Sequence, residues 1–240
     1  PVKLAGSTSR IFLGLQLECA QCHDHPTSRW TQEDFWHYAA FCAQLEPRSE
    51  NAPNEQSIID RPGREVTFPD TDREMPPRYP GVNEPPEPDP MDFRRRQLTI
   101  WLASRNNPYF ARAGANRVWS DLFGRGLVEP VDSMDLDNPA SHPEVLQFLS
   151  DLLIESRFDL RLLYETLAKT KAYGLTSRFV DLDRPGPDSF AVMNVKTLSP
   201  SQYFDSLRQN VLAAAPESPD PTGAAVEFMR REFLTRMSAR

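Results

Sequence analysis

No stretch of the chain approaches the roughly 18 uninterrupted apolar residues that a transmembrane helix needs, so the sequence offers no candidate membrane span. Basic residues are in the minority. The 27 Lys and Arg face 34 Asp and Glu, a net charge of −7, which leaves a nucleic-acid partner without electrostatic support. The one basic run, Arg94-Arg95-Arg96, reads as a solvated helix face. No nucleophile elbow, phosphate-binding glycine loop, metalloprotease motif or internal repeat is present. Three cysteines in 240 residues are too few for a disulfide framework. What is there is a globular balance of 39% hydrophobic and 25% charged residues, enough for one large domain or two small ones.

Proline organises the chain. Of 23 prolines, 11 fall between Pro47 and Pro90. That segment, with Asn51-Ala52-Pro53-Asn54 and Glu84-Pro85-Pro86-Glu87-Pro88, reads as an extended connector from 47 to 90. Within it, Arg64 to Phe68 could form one short strand, half of a hairpin. The flanks, 1–46 and 91–240, carry helical signals. Ile11, Phe12 and Leu15 suggest a helical face, and Thr31 with Asp34 a capping box before Phe35, Trp36, Tyr38 and Phe41. Asn107-Pro108 is an N-cap followed by an N1 proline, and Gly124 is the stop. Ser141 with Glu144 resembles a second capping box, Asp159 caps a helix through Leu167, and Ser199 to Gln202 opens another toward Val211. A last helix should cover Ala224 to Met237. The expected fold is mainly α: helical domains joined by a long Pro-rich irregular connector with at most a short β-hairpin.

The most specific chemistry lies in Cys19-Ala20-Gln21-Cys22-His23, a C-x-x-C-H. Two thiols at this spacing can each add across one haem vinyl group, and the next imidazole then lies against one face of the iron. On this reading Cys19 and Cys22 hold haem c and His23 is its axial ligand. Asp24 or a backbone carbonyl would accept from the other ring nitrogen. Trp30, Phe35, Trp36, Tyr38 and Phe41 could wall the porphyrin, and each would serve equally as core. The second axial ligand is left open. His25 is too close in sequence to reach the opposite face easily, so His37 is the best local candidate, with Met75, Met91 and Met134 as looser ones. Zinc is the alternative cofactor, through Cys19, Cys22, His25 and a distant His37, and a metal-free structural turn is the third reading. Cys42, in an apolar run, reads as a small buried hydrophobe.

A weaker polar cluster invites an enzymatic story. Arg117, Glu129, Asp132 and His142 could meet in a cleft, giving a hydrolase-like enzyme. The plainer reading is a buried Arg–carboxylate pair that orders a loop.

Leu13-Gly14-Leu15-Gln16-Leu17-Glu18 through the C-x-x-C-H to Asp24-His25-Pro26, followed by Trp30 to Trp36, resembles the planctomycete cytochrome-like domain family of unknown function. Asn107 to Ala113, Asn116 to Trp119, Leu122 to Pro130, Ser141 to Glu144 and Phe158 to Leu160 resemble the companion domain that usually follows it. The resemblance implies a periplasmic or secreted protein, with a redox partner in another c-type haem domain often fused upstream. It brings no established reaction. It also implies a fragment: with Pro1 in place of methionine, residues 1–46 would be the tail of the cytochrome-like domain, and 91–240 a companion domain truncated at its end.

Overall fold

Eight α-helices and one two-stranded antiparallel ribbon make up the regular structure of the computed structural model, which describes residues 2–47, 58–82, 84, 86–87, 91, 93–135, 137–179, 183–214 and 223–238. The fold is mainly α. The chain divides into two compact units, Pro1–Asn194 and Val195–Arg240. The family boundaries expected at 46 and 91 therefore fall inside the first unit, whose N-terminal segment, connector and later helices share one apolar core.

The first unit opens with α1 (Val2–Thr8), which continues as a π-helical turn over Ser9–Leu13 and stops at Gly14, in left-handed conformation at φ 66°. This departs from the expected helical face. The wider turn and the stop rotate Ile11 and Phe12 outward, to 56% and 40% exposure, while Leu13, Leu15 and Leu17 are fully buried. Gly14 is required here. A Cβ would sit 2.7 Å from Met134 Cγ and 3.2 Å from Ala113 Cβ, and the Gly14 carbonyl accepts from Met134 N at 2.8 Å. The segment is also held by Gln16 Nε2 donating to Asp132 Oδ1 (2.9 Å) and by Arg10, ion-paired with both Glu18 and Asp132.

Helix α2 (Gln32–Ala39) begins at the expected capping box: Asp34 N donates to Thr31 Oγ1, and Thr31 N donates back to the Asp34 carboxylate. Strand β1 (Leu45–Pro47) pairs with β2 (Ile58–Asp60), Leu45 opposite Asp60. Arg64–Phe68 makes only part of the expected strand: Thr67 bridges Glu74 across a turn at Asp70, with Phe68 N donating to Arg73 O (2.8 Å) and Met75 N to Val66 O (2.9 Å). The Asn51–Asn54 cluster and Pro85 and Pro88 lie outside the described residues.

The connector is tied down by side chains instead of ladders. Tyr79 stacks between Phe41 (4.9 Å, 11° between planes) and Trp101 of α3 (4.4 Å, 6°), and its hydroxyl donates to Gln97 O. Arg94, the first residue of α3 (Arg94–Leu102), is not on a solvated face as the basic run suggested. It is 8% exposed, donates to Ala40 O at 3.2 Å and pairs with Glu65. A buried guanidinium without such a partner would be strongly destabilising.

Helix α4 (Phe110–Phe123) is the centre of the later half and packs on α5 (Pro143–Glu155) and α6 (Leu160–Ala168) through Val118, Leu146, Leu149, Leu153, Leu163 and Leu167. Each such side chain contributes about 1.5–3 kcal/mol on burial. Asn107 Oδ1 accepts from Tyr109 N and Phe110 N, but α4 starts later than the expected Asn107 cap and Pro108 N1, with Tyr109 as its N-cap, and Gly124 ends it at φ 77°. Asp159 caps α6 through Leu162 N. The Ser141–Glu144 capping box is not formed: Ser141 Oγ donates to Leu127 O, His142 takes the N-cap position, and Pro143 is N1. In the second unit, α7 (Pro200–Ala214) starts with the reciprocal Ser199–Gln202 capping pair and packs on α8 (Ala224–Ser238), where Phe233 meets Tyr203 and Phe204.

Gly14→Ala should destabilise the first unit by about 2–4 kcal/mol, combining left-handed backbone strain with overpacking against Met134. Urea denaturation checks this; a loss below about 0.5 kcal/mol would show that the close approach is not a constraint.

Candidate functional site

The C-x-x-C-H lies on a 3₁₀ turn, Leu17–Gln21, and its exit. Leu17 and Ala20 are fully buried, and this tight turn consequently leaves both Cys19 and Cys22 exposed as free thiols. The Gln21 carbonyl accepts from both Gln32 Nε2 and Trp36 Nε1, each at 3.1 Å, which fixes the turn to α2. The loop beyond is closed by Gln32 N donating to Asp24 Oδ1 (2.8 Å) and His25 N donating to Trp30 O (2.8 Å).

The histidines differ in tautomer, and their partners decide it. His23 Nδ1 lies 2.6 Å from Asp24 O. A carbonyl only accepts, so Nδ1 carries the proton and the Nε2 lone pair is free to bind a metal. His25 is the reverse: its Nδ1 accepts from Thr27 N at 3.2 Å, so the neutral ring is protonated at Nε2. His37, on α2, has the same arrangement as His23, with Nδ1 donating to Pro76 O at 2.7 Å. His23 and His37 thus hold the ligating tautomer, and His25 does not.

Beside Cys22 opens a groove of about 870 Å³ lined by Cys22, Trp36, Val66, Phe68, Pro69 and Asp70 among others. Its size suits a large planar ligand, and its connector side is mixed, with Val66, Phe68 and Pro69 interleaved with Glu65, Thr67 and Asp70. Of the five aromatics considered as walls, Trp36 lines this groove, whereas Phe35, Tyr38 and Phe41 are buried in the core and Trp30 lines a different cavity. Val66, Phe68 and Pro69 escaped sequence reading because only the fold of the connector brings them to Cys22. Two exposed thiols and the open His23 Nε2 are the donor types that haem c would need, and of the three residues only Cys22 lines the groove. Met75 and Met134 are buried, Met134 against Gly14, and Met91 is exposed. Among the described residues, no three His, Cys, Asp or Glu side chains converge as a metal cage, so Cys19, Cys22, His25 and His37 are not gathered into one tetrahedron.

The polar residues of the later half are placed separately. Arg117 Nη2 donates to Arg10 O (2.7 Å), Glu129 Oε2 accepts from Gly126 N (2.9 Å), Asp132 pairs with Arg10 and Gln16, and His142 Nδ1 meets Ser141 Oγ at 3.2 Å. Among the described residues, no hydrogen bond or ion pair joins any two of the four.

Two protein-family models match the chain. Residues 94–230 match PSD1, described as a protein of unknown function (DUF1553), and residues 2–47 match PSCyt2, described as a protein of unknown function (DUF1549). No curated protein and no solved structure matches.

Burial pushes the Cys42 thiol up to about 11 and shields it from reagents; the Cys19 and Cys22 side chains lie at the surface. In folded protein made without haem attachment, iodoacetamide at pH 8 should therefore add two carbamidomethyl groups, at Cys19 and Cys22, with Cys42 reacting only after denaturation. Peptide mass mapping reads the sites; prompt native labelling of Cys42 would contradict the burial.

Proposed function

The chain belongs to the PSD1 family of proteins of unknown function, with a segment similar to PSCyt2 before it, and we propose that it is an extracytoplasmic c-type haem protein that transfers single electrons. The observation that carries this reading is the presentation of the motif: two exposed thiols flank one buried alanine, and the following imidazole is held with Nε2 open. Cys19 and Cys22 would form the thioethers and His23 the axial bond, with the Asp24 carbonyl setting the ring orientation. Trp36, Val66 and Phe68 would exclude water from one side. Bound there, haem c supplies a reversible one-electron couple at iron. The chain's own part is to hold the imidazole, limit solvent and leave an edge open to a redox partner, in keeping with a periplasmic or secreted protein beside another c-type haem domain.

A second reading keeps the motif as a metal-free scaffold turn. It is favoured by the two hydrogen bonds to the Gln21 carbonyl, which fold the turn with no cofactor contribution.

Expression into the periplasm with c-type maturation machinery, followed by a pyridine haemochrome spectrum of the denatured protein, separates the two. Haem that stays with the polypeptide, and is lost in Cys19→Ser/Cys22→Ser, is the expected result. A colourless wild-type protein, or a double variant that still carries covalent haem, overturns the proposal.

A further inference from the structure

A second cavity, of about 580 Å³, lies away from the cysteines and is built by three stretches of the first unit: Arg29 and Trp30, Gly81, and residues of the region from Arg105 to Ile154. Its uncharged lining is mixed, with Val128, Met134, Pro139 and Ile154 beside Asn107, Asn138, Gln147 and Ser150. Three guanidiniums line it, from Arg29, Arg105 and Arg112, against two carboxylates, Asp135 and Asp151. In a chain of net charge −7 this is a local reversal of sign.

The carboxylates are already engaged. Asp135 Oδ1 accepts the Trp30 indole N–H at 2.5 Å, and Asp151 Oδ1 accepts from Gln147 Nε2 at 2.9 Å. The guanidiniums keep donors free. Arg105 is exposed and has no hydrogen bond or ion pair among the described residues, and Arg112 has one long contact, 3.4 Å, to Gln147 Oε1. Arg29 is held in position with donors to spare: its guanidinium lies 4.7 Å over the Trp30 ring, and Nη2 donates to the Tyr109 hydroxyl at 3.1 Å. Gly81 at φ 71° makes room for that pair, since a Cβ would fall 2.8 Å from Tyr109 Oη and 3.0 Å from Arg29 Nη2.

We infer that this cavity binds a small organic oxyanion, a carboxylate or a phosphate or sulfate ester, whose head meets Arg29, Arg105 and Arg112 and whose compact apolar body rests on Val128, Met134 and Ile154. Guanidinium forks suit such heads because they offer paired, permanently charged donors. The cavity volume suits a small-molecule ligand.

Titration of the purified chain with benzoate, phenyl phosphate, phenyl sulfate and neutral benzamide, followed calorimetrically, tests this. At least one anion should bind saturably at one site, more weakly as salt rises, with benzamide at least about tenfold weaker. The ranking of the three anions then assigns the head group. Arg105→Gln, at an exposed side chain with no hydrogen bond or ion pair among the described residues, should weaken the best anion about tenfold, whereas Arg161→Gln, at an exposed position of α6, should not. No saturable binding, equal binding of benzamide, or an unchanged affinity in Arg105→Gln overturns the inference.

Discussion

The close approach at Gly14 is the contact on which the arrangement of the first unit rests. Without a side chain there, the run Leu13–Leu17 can press onto Ala113 of α4 and onto Met134. Leu13, Leu15 and Leu17 then enter the common core, and the turn that follows emerges with Leu17 and Ala20 inward. The exposure of Cys19 and Cys22 is a consequence of that anchoring. Polar ties around it, Gln16 to Asp132 and Arg10 to Glu18 and Asp132, are partly solvated and add little each; their role is to fix register.

The connector shows how a proline-rich segment is ordered with almost no ladder. Proline removes backbone donors, and among the described residues the strand pairing of β1 with β2 covers three residues in each. Order comes from large side chains in place of backbone pairing. Tyr79 is sandwiched between rings from two distant stretches, and Glu65 neutralises the buried Arg94. These interactions join residues far apart in sequence, and they make the connector part of the first unit's core.

What could be read in the sequence follows from the range of the interaction responsible. The Thr31–Asp34 and Ser199–Gln202 boxes, the Asp159 cap and the Gly124 stop act within three or four residues, and all are as expected. The Ser141 box has the same local pattern but loses to a distant competitor, since Leu127 O takes the serine hydroxyl. The phase of residues 9–15, the burial of Arg94 and the groove beside Cys22 likewise depend on partners that no local pattern specifies. Within the candidate site, the C-x-x-C-H spacing was legible, whereas the histidine tautomers were not. They are set by Asp24 O, Thr27 N and Pro76 O, and of these only the neighbouring Asp24 carbonyl could be anticipated.

Both cavities are composite, which bears on why the two family segments run in one chain. The groove beside Cys22 joins residues of the PSCyt2-like segment to the connector's Glu65–Asp70. The arginine-lined cavity joins Arg29 and Trp30 of that same segment to Gly81 and to the PSD1 segment. The Trp30 ring has one face under Arg29 and its indole N–H on Asp135, so a single residue of the first segment organises charge on the second. Separating the two family segments would expose Leu13, Leu15 and Leu17, whose core is shared with α4, and would dismantle the arginine-lined cavity, which needs residues of both.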